Sequence, residues 1–202
     1  MNHTWENGFH ESSTSYYAAV GYLCHQWNNV EHFVYSLASE AIQFPFKQRL
    51  ILFRHMGVRS AMEFVEDYAS THHTPDVQEQ LKYAFQFANG CRINRNIIVH
   101  GFPENDSETG TEVIRTVPDR SRKTAKTLPI SIEAVRRVCD DCEKGGMLLI
   151  RAQYLVISVE ARESLKSGVN WPQIERVLFL KPPLPKLLTE IPSKFQTPPR
   201  QG

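Results

Sequence analysis

Apolar positions along this chain recur at alternating steps of three and four. Leu23, Trp27, Val30, Val34, Leu37 and Ala41 are separated by 4, 3, 4, 3 and 4 residues, the spacing of one helix face turned toward partners. A first helix is predicted from Ser15 to Gln43. Phe44-Pro45-Phe46 ends it, because the residue before a proline is pushed out of helical geometry. Leu50, Arg54, Gly57, Ala61, Phe64 and Tyr68 carry a similar phase and predict a second helix from Lys47 to Ser70. After Thr71-His72-His73-Thr74, Pro75 opens a third helix, at a position where its missing N–H costs nothing. Val77, Leu81, Ala84, Ala88, Cys91, Arg95 and Ile98 form its stripe from Asp76 to His100. Gly101 then reads as a C-terminal cap, and Pro103 forbids continuation. A fourth helix follows Pro129, with Ser131 as N-cap and Glu133 in the first turn. Ile132, Val135, Cys139, Cys142, Gly146, Leu149, Ala152 and Val156 keep its phase, and it is expected to reach Ser164.

Four such helices with mostly short connections predict an all-α fold, an antiparallel four-helix bundle. The connection between helices three and four is too long for this pattern, and long connections are usually functional or disordered. It starts acidic at Glu104, Asp106, Glu108 and Glu112. It passes through a β-like run from Val113 to Val117 and turns basic at Arg120, Arg122, Lys123 and Lys126. A small exposed β-like excursion is expected there. The chain thus divides into a polar N-terminus (1–14), the bundle (15–168) and a C-terminal tail (169–202). Seven of the twelve prolines lie in the tail. Lys181-Pro182-Pro183-Leu184-Pro185 favours extended polyproline geometry. Its apolar residues, among them Leu184, Leu187 and Leu188, predict that it lies along a surface.

Composition narrows the class. The chain has 202 residues, 41% apolar and 22% charged, enough to bury one core and to exclude global disorder. Fourteen arginines and nine lysines face 22 acids, a net charge of +1. Any contact with nucleic acid must therefore come from a local patch. Apolar runs stop at about five residues, where a membrane span needs roughly 20. The start, Met1-Asn2-His3-Thr4-Trp5-Glu6, has no basic, apolar leader pattern. With four scattered cysteines at 24, 91, 139 and 142, a reducing cytoplasmic setting is expected.

The chemistry concentrates in Arg95-Asn96-Ile97-Ile98-Val99-His100-Gly101. An arginine in phase with a buried stripe is expensive unless it is paired or sits at a wet interface. Histidine is the natural proton carrier near neutral pH. Together they offer a fixed cation for a phosphate and a proton shuttle, and neither requires a metal or cofactor. On a straight helix the two lie about 140° apart. Sharing one face would then take unwinding near His100 or action across a dimer interface. Arg49 and His55 have a comparable spacing, but Leu50 follows the arginine and no break follows the histidine. A purely structural reading also exists. Arg95 and His100 would complement the helix dipole, and Glu31 beside the first stripe would pair with Arg95.

Arg95, the polar Asn96 after it, and His100 five positions on, at the end of a third helix, resemble the HEPN superfamily. The architectural likeness spans residues 15 to 165, and the motif only 95 to 101. The resemblance implies a homodimer whose two motifs face one cleft. It implies metal-independent endoribonuclease activity, with Arg95, Asn96 and His100 as catalytic residues, often in toxin–antitoxin or phage-defence systems. Cleavage would proceed by attack of the ribose 2′-OH on the adjacent phosphate. Arg115, Arg120, Arg122, Lys123 and Lys126 are candidate RNA-backbone contacts. Cys139-Asp140-Asp141-Cys142 lacks the second ligand pair of a zinc site and reads as buried stripe. Two other functions stay open. One is an inactive binding module for RNA, a nucleotide or a protein partner. The other is a helical interaction protein that works through its proline-rich tail, for instance on an antitoxin.

Overall fold

The computed structural model describes residues 11–42, 45–105, 112–115, 127–156 and 182–188. Five helices make a helical bundle: α1 (Glu11–Ile42), α2 (Phe46–His55), α3 (Val58–His72), α4 (Pro75–His100) and α5 (Ile132–Val156). Between α4 and α5 the described backbone pairs in three short strands, β1 (Phe102–Asn105), β2 (Glu112–Arg115) and β3 (Thr127–Pro129). Their order is β1-β2-β3, with both pairs antiparallel and Phe102 opposite Arg115.

The stripe of α1 is buried from Leu23 through Ala41. So are Leu81, Ala84, Ala88, Cys91 and Ile98 of α4, and Val135, Cys139, Cys142, Leu149 and Ala152 of α5. Each large side chain taken fully out of water contributes about 1.5–3 kcal/mol. Two glycines let α5 approach its neighbours closely. A Cβ on Gly145 would lie 3.4 Å from the Phe87 ring and 3.7 Å from Cys91 Sγ, and one on Gly146 3.5 Å from the Phe33 ring.

Helix direction departs from the antiparallel expectation. The Cys139 thiol donates to the Ala19 carbonyl at 3.8 Å, and Gln153 Nε2 to Ser36 Oγ at 2.8 Å. Both partners advance together, so α1 and α5 run parallel. Gly145 meets Phe87 while Cys142 meets Cys91, so α4 runs antiparallel to α5. The difference traces to the second predicted helix, which is two helices. Met56 (φ −104°, ψ 117°) and Gly57 (φ −70°, ψ 158°) are extended and break the hydrogen-bond ladder. Leu50, assigned to its buried stripe, is instead exposed, as is Ile51. Tyr35 of α1 donates to the Met56 carbonyl at 3.0 Å and its ring tilts against Phe53, fixing this corner.

Ser131 caps α5 as expected, its Oγ accepting from the Ala134 N–H at 3.2 Å. Gly101 ends α4 differently. Its φ of −79° is not left-handed, and its N–H still bonds the Ile97 carbonyl at 3.1 Å. The helix therefore stays regular through His100 and stops because Gly101 turns extended into β1. The predicted extension of the fourth helix to 164, the N-terminal residues 1–10 and the rest of the tail lie outside the described residues.

Residues 182–188 run along α4 in the same direction as the helix. The Tyr83 hydroxyl donates to the Pro182 carbonyl, the Pro185 ring sits against Gly90, and Leu188 is buried in the core. Asn94, fully buried, donates through Nδ2 to the Lys186 carbonyl at 3.0 Å and accepts the Leu188 N–H on Oδ1 at 2.9 Å. One amide thus replaces a piece of strand pairing for a segment whose prolines cannot form a sheet. Asn94→Ala is expected to lower stability by about 2–3 kcal/mol, because two buried backbone groups lose their partner. Urea unfolding followed by circular dichroism measures this, and an unchanged midpoint would mean that this bridge does not hold the segment in solution.

Candidate functional site

Arg95, Asn96 and His100 occupy the last two turns of α4. The structure brings the three side chains together. Arg95 Nη1 donates to Asn96 Oδ1 at 3.1 Å and lies 3.3 Å from His100 Nε2. A guanidinium has no acceptor capacity, so this contact requires a neutral imidazole with its hydrogen on Nδ1. The 140° between Arg95 and His100 is bridged without unwinding the helix and without a second chain. The long arginine side chain leaves its half-buried position beside the core and reaches across the Asn96 face to the exposed His100 ring.

Arg95 is only partly committed. Its Nε is buried and has no hydrogen-bond partner among the described residues, an arrangement that costs about 1–3 kcal/mol when nothing bonds the group. No ion pair joins Arg95 to Glu31. Glu31 instead acts on Tyr35, whose hydroxyl is raised above its ordinary pKa by burial and then by that carboxylate. The positioning role expected for Glu31 therefore falls to Asn96.

The second Arg–His spacing makes a useful contrast. Arg49 and His55 both lie on α2, and no hydrogen bond joins them. A spacing of five residues gives contact at Arg95 and His100, and a spacing of six gives none at Arg49 and His55. The two pairs differ also in the residue after the arginine, Asn96 at one and Leu50 at the other, and only Asn96 can accept from the guanidinium.

A second arginine on α4 was not singled out by sequence. Arg92, one turn before Arg95, is half-buried and holds Asn89 Oδ1 through both Nε and Nη2, each at 3.0 Å. Its pKa is lowered, first by burial and then by the Arg59 charge on α3. Its i−3 spacing from Arg95 and the Asn three residues before it were the available signals.

Of the expected RNA-contact residues, Arg115 lies on β2, and Arg120, Arg122, Lys123 and Lys126 lie outside the described residues. Cys139 and Cys142 are buried against α1 and α4. Burial pushes the Cys139 thiol up to about 11. Hydrogen bonding with Cys142, then burial, raises the Cys91 thiol further. The Cys139 and Cys91 thiols are therefore protonated at neutral pH and are poor nucleophiles. Among the described residues no group of three or more His, Cys, Asp or Glu side chains is placed to hold a metal ion. No helix among the described residues is long and apolar enough to cross a membrane.

A shallow pocket of about 350 Å³ opens between α1 and α5, lined by Ala18, Tyr22, Arg136 and Asp140. It contains none of the three motif side chains. Comparison with known proteins found no family whose sequence pattern matches this chain, and no similar curated protein or solved structure.

Proposed function

We propose that this protein is a HEPN-type endoribonuclease that cleaves RNA without a metal, in a toxin–antitoxin or phage-defence setting. The observation that carries this reading is the contact of one Arg95 nitrogen with both Asn96 and His100. That contact supplies a cation and a neutral imidazole at one exposed helix end. In the reaction the ribose 2′-oxygen forms a bond to phosphorus and the 5′-oxygen leaves. One proton passes from the 2′-OH to the leaving oxygen. His100 Nε2 takes or gives that proton once Arg95 turns its N–H to the phosphate. Arg95 then stabilises the charge gathering on the phosphorane-like oxygens. Asn96 keeps the guanidinium within reach of both. The products are a 2′,3′-cyclic phosphate and a 5′-hydroxyl, and DNA resists for lack of the 2′-OH.

The working form in this reading is a homodimer of helical bundles with two motifs facing one cleft. The basic residues Arg115, Arg120, Arg122, Lys123 and Lys126 hold the RNA backbone. If two protomers build the site, activity per protomer falls when the enzyme is diluted below its dimer dissociation constant. Activity independent of dilution would rule out a shared cleft.

The test is cleavage of a labelled single-stranded RNA in EDTA by wild type, Arg95→Ala and His100→Ala. Cutting by wild type alone, leaving cyclic-phosphate ends, is the expected result. No cutting by any of three equally folded proteins removes the nuclease reading for that substrate. It leaves the second one, a non-cleaving RNA-binding module, favoured by the arginines at 92 and 95 on successive turns of α4. Salt-dependent binding of uncleavable RNA tests that reading.

A further inference from the structure

The contacts of residues 182–188 follow a period of three. Pro182 receives the Tyr83 hydroxyl, Pro185 meets Gly90, and Leu188 is buried with its N–H on Asn94. Pro183, Leu184 and Lys186 between them are exposed. Three residues per turn is the repeat of a polyproline helix, so a Pro-x-x-Pro-x-x-Leu pattern puts its three anchors on one edge. On α4 the matching positions are Tyr83, Gly90 and Asn94, spaced by seven and four residues along one face of the helix. That face lies away from the ladder of Asn96 and His100, about a third of a turn around the helix.

Three features make this face a recognition surface and not merely a place where the tail rests. Its hydrogen bonds are directed at backbone atoms, the Pro182 and Lys186 carbonyls and the Leu188 N–H, which any chain presents. Its middle is a glycine, and a Cβ there would meet the Pro185 ring at 3.4 Å. Its occupant belongs to the same chain, joined to α5 through 25 residues, 157–181, and linkage within one chain gives an effective concentration on the order of mM. Stiff proline-rich ligands also lose little conformational entropy on binding, which is why grooves with aromatic and amide donors select them.

We propose that the Tyr83–Gly90–Asn94 face of α4 is a docking groove for a proline-rich segment of a partner protein with the pattern Pro-x-x-Pro-x-x-Leu, and that residues 182–188 are its resident competitor. A long tether favours docking on the same chain over exchange between two copies, because strand and segment exchange is promoted by short hinges. The partner segment displaces the resident one when its local concentration exceeds that of the tethered copy.

The experiment uses the full chain and a labelled synthetic peptide of residues 180–190, with a scrambled peptide as control. In a Pro185→Asp/Leu188→Asp variant, whose own segment no longer fits, the peptide is expected to bind saturably and at least about tenfold tighter than to wild type, because the tethered competitor is gone. Adding Asn94→Ala to that variant is expected to weaken peptide binding by about tenfold, the loss of two hydrogen bonds. A folded variant that does not distinguish the peptide from its scrambled control overturns the proposal, as does binding indifferent to Asn94. Should the double substitution unfold the chain, wild type is titrated instead while the Asn94 side-chain amide is followed by NMR. Movement of that signal at peptide concentrations on the order of mM supports the groove. A signal unmoved at tenfold that level overturns it.

Discussion

Replacing His100 by alanine is expected to lower RNA cleavage by about 10²–10⁴-fold, the contribution of a positioned proton-transfer group. The unfolding midpoint should not change, because the ring is exposed and its one described contact is to Arg95. Arg95→Ala removes the cation and is expected to lower the rate by about 10²–10³-fold, as for loss of one transition-state donor. Arg95→Lys keeps the charge but loses the planar fork that touches Asn96 and His100 together. It should therefore recover only part of the rate. His55→Ala is the matched control and should cleave like wild type, because His55 touches neither Arg49 nor the motif. Single-turnover rates on one labelled RNA measure all four. A His100→Ala protein that cuts at the wild-type rate would remove this residue from the chemistry.

The largest stability effect is expected at Phe87. Its side chain is completely buried on α4 and fills the space that Gly145 leaves open on α5. Phe87→Ala opens a cavity at this crossing and is expected to cost about 3–5 kcal/mol. Gly145 cannot compensate, and a larger residue there would meet Cys91 as well as Phe87 in the wild-type background. Chemical unfolding at equilibrium measures the loss. A loss below about 1 kcal/mol would mean that α4 and α5 close together over the gap. Gly145→Ala in the Phe87→Ala background is expected to recover part of the stability, because its methyl then enters vacated space.

The helices were legible because burial of a face imposes a 3.6-residue rhythm, and α1, α4 and α5 carry that rhythm over five or more steps. The region of α2 and α3 was not. Leu50 and Arg54 have the right spacing yet sit on an exposed surface. Spacing reports a face, not whether anything covers it. Glycine at 57 was a visible punctuation mark, but a glycine in a stripe is equally consistent with close packing, as at 145 and 146. Parallel α1 and α5 follow from that one break, and no local pattern encodes the direction of a distant helix.

The candidate site divides in the same way. Arg95, Asn96 and His100 stood out by residue type and by their place at a helix end. Helical geometry alone set Arg95 and His100 about 140° apart. Only the folded side chains show that the guanidinium crosses this angle with Asn96 as a rest. Glu31 was assigned by proximity of stripes, and the structure gives it to Tyr35 instead. Asn94 passed unnoticed because it lies beside the apolar stripe, between Cys91 and Arg95, and its burial is seen only in the fold. Its partner lies more than ninety residues away, in a segment whose three-residue repeat was visible but had no known destination. By itself the sequence determined most of the helices and the apolar faces of α1, α4 and α5, and it singled out three candidate groups, since these depend on neighbours within a few turns. The break that sets helix direction and the seating of the tail on α4 were decided by contacts between distant residues, which exist only once the chain has packed, and the reach of Arg95 by a side-chain conformation that helix spacing does not specify.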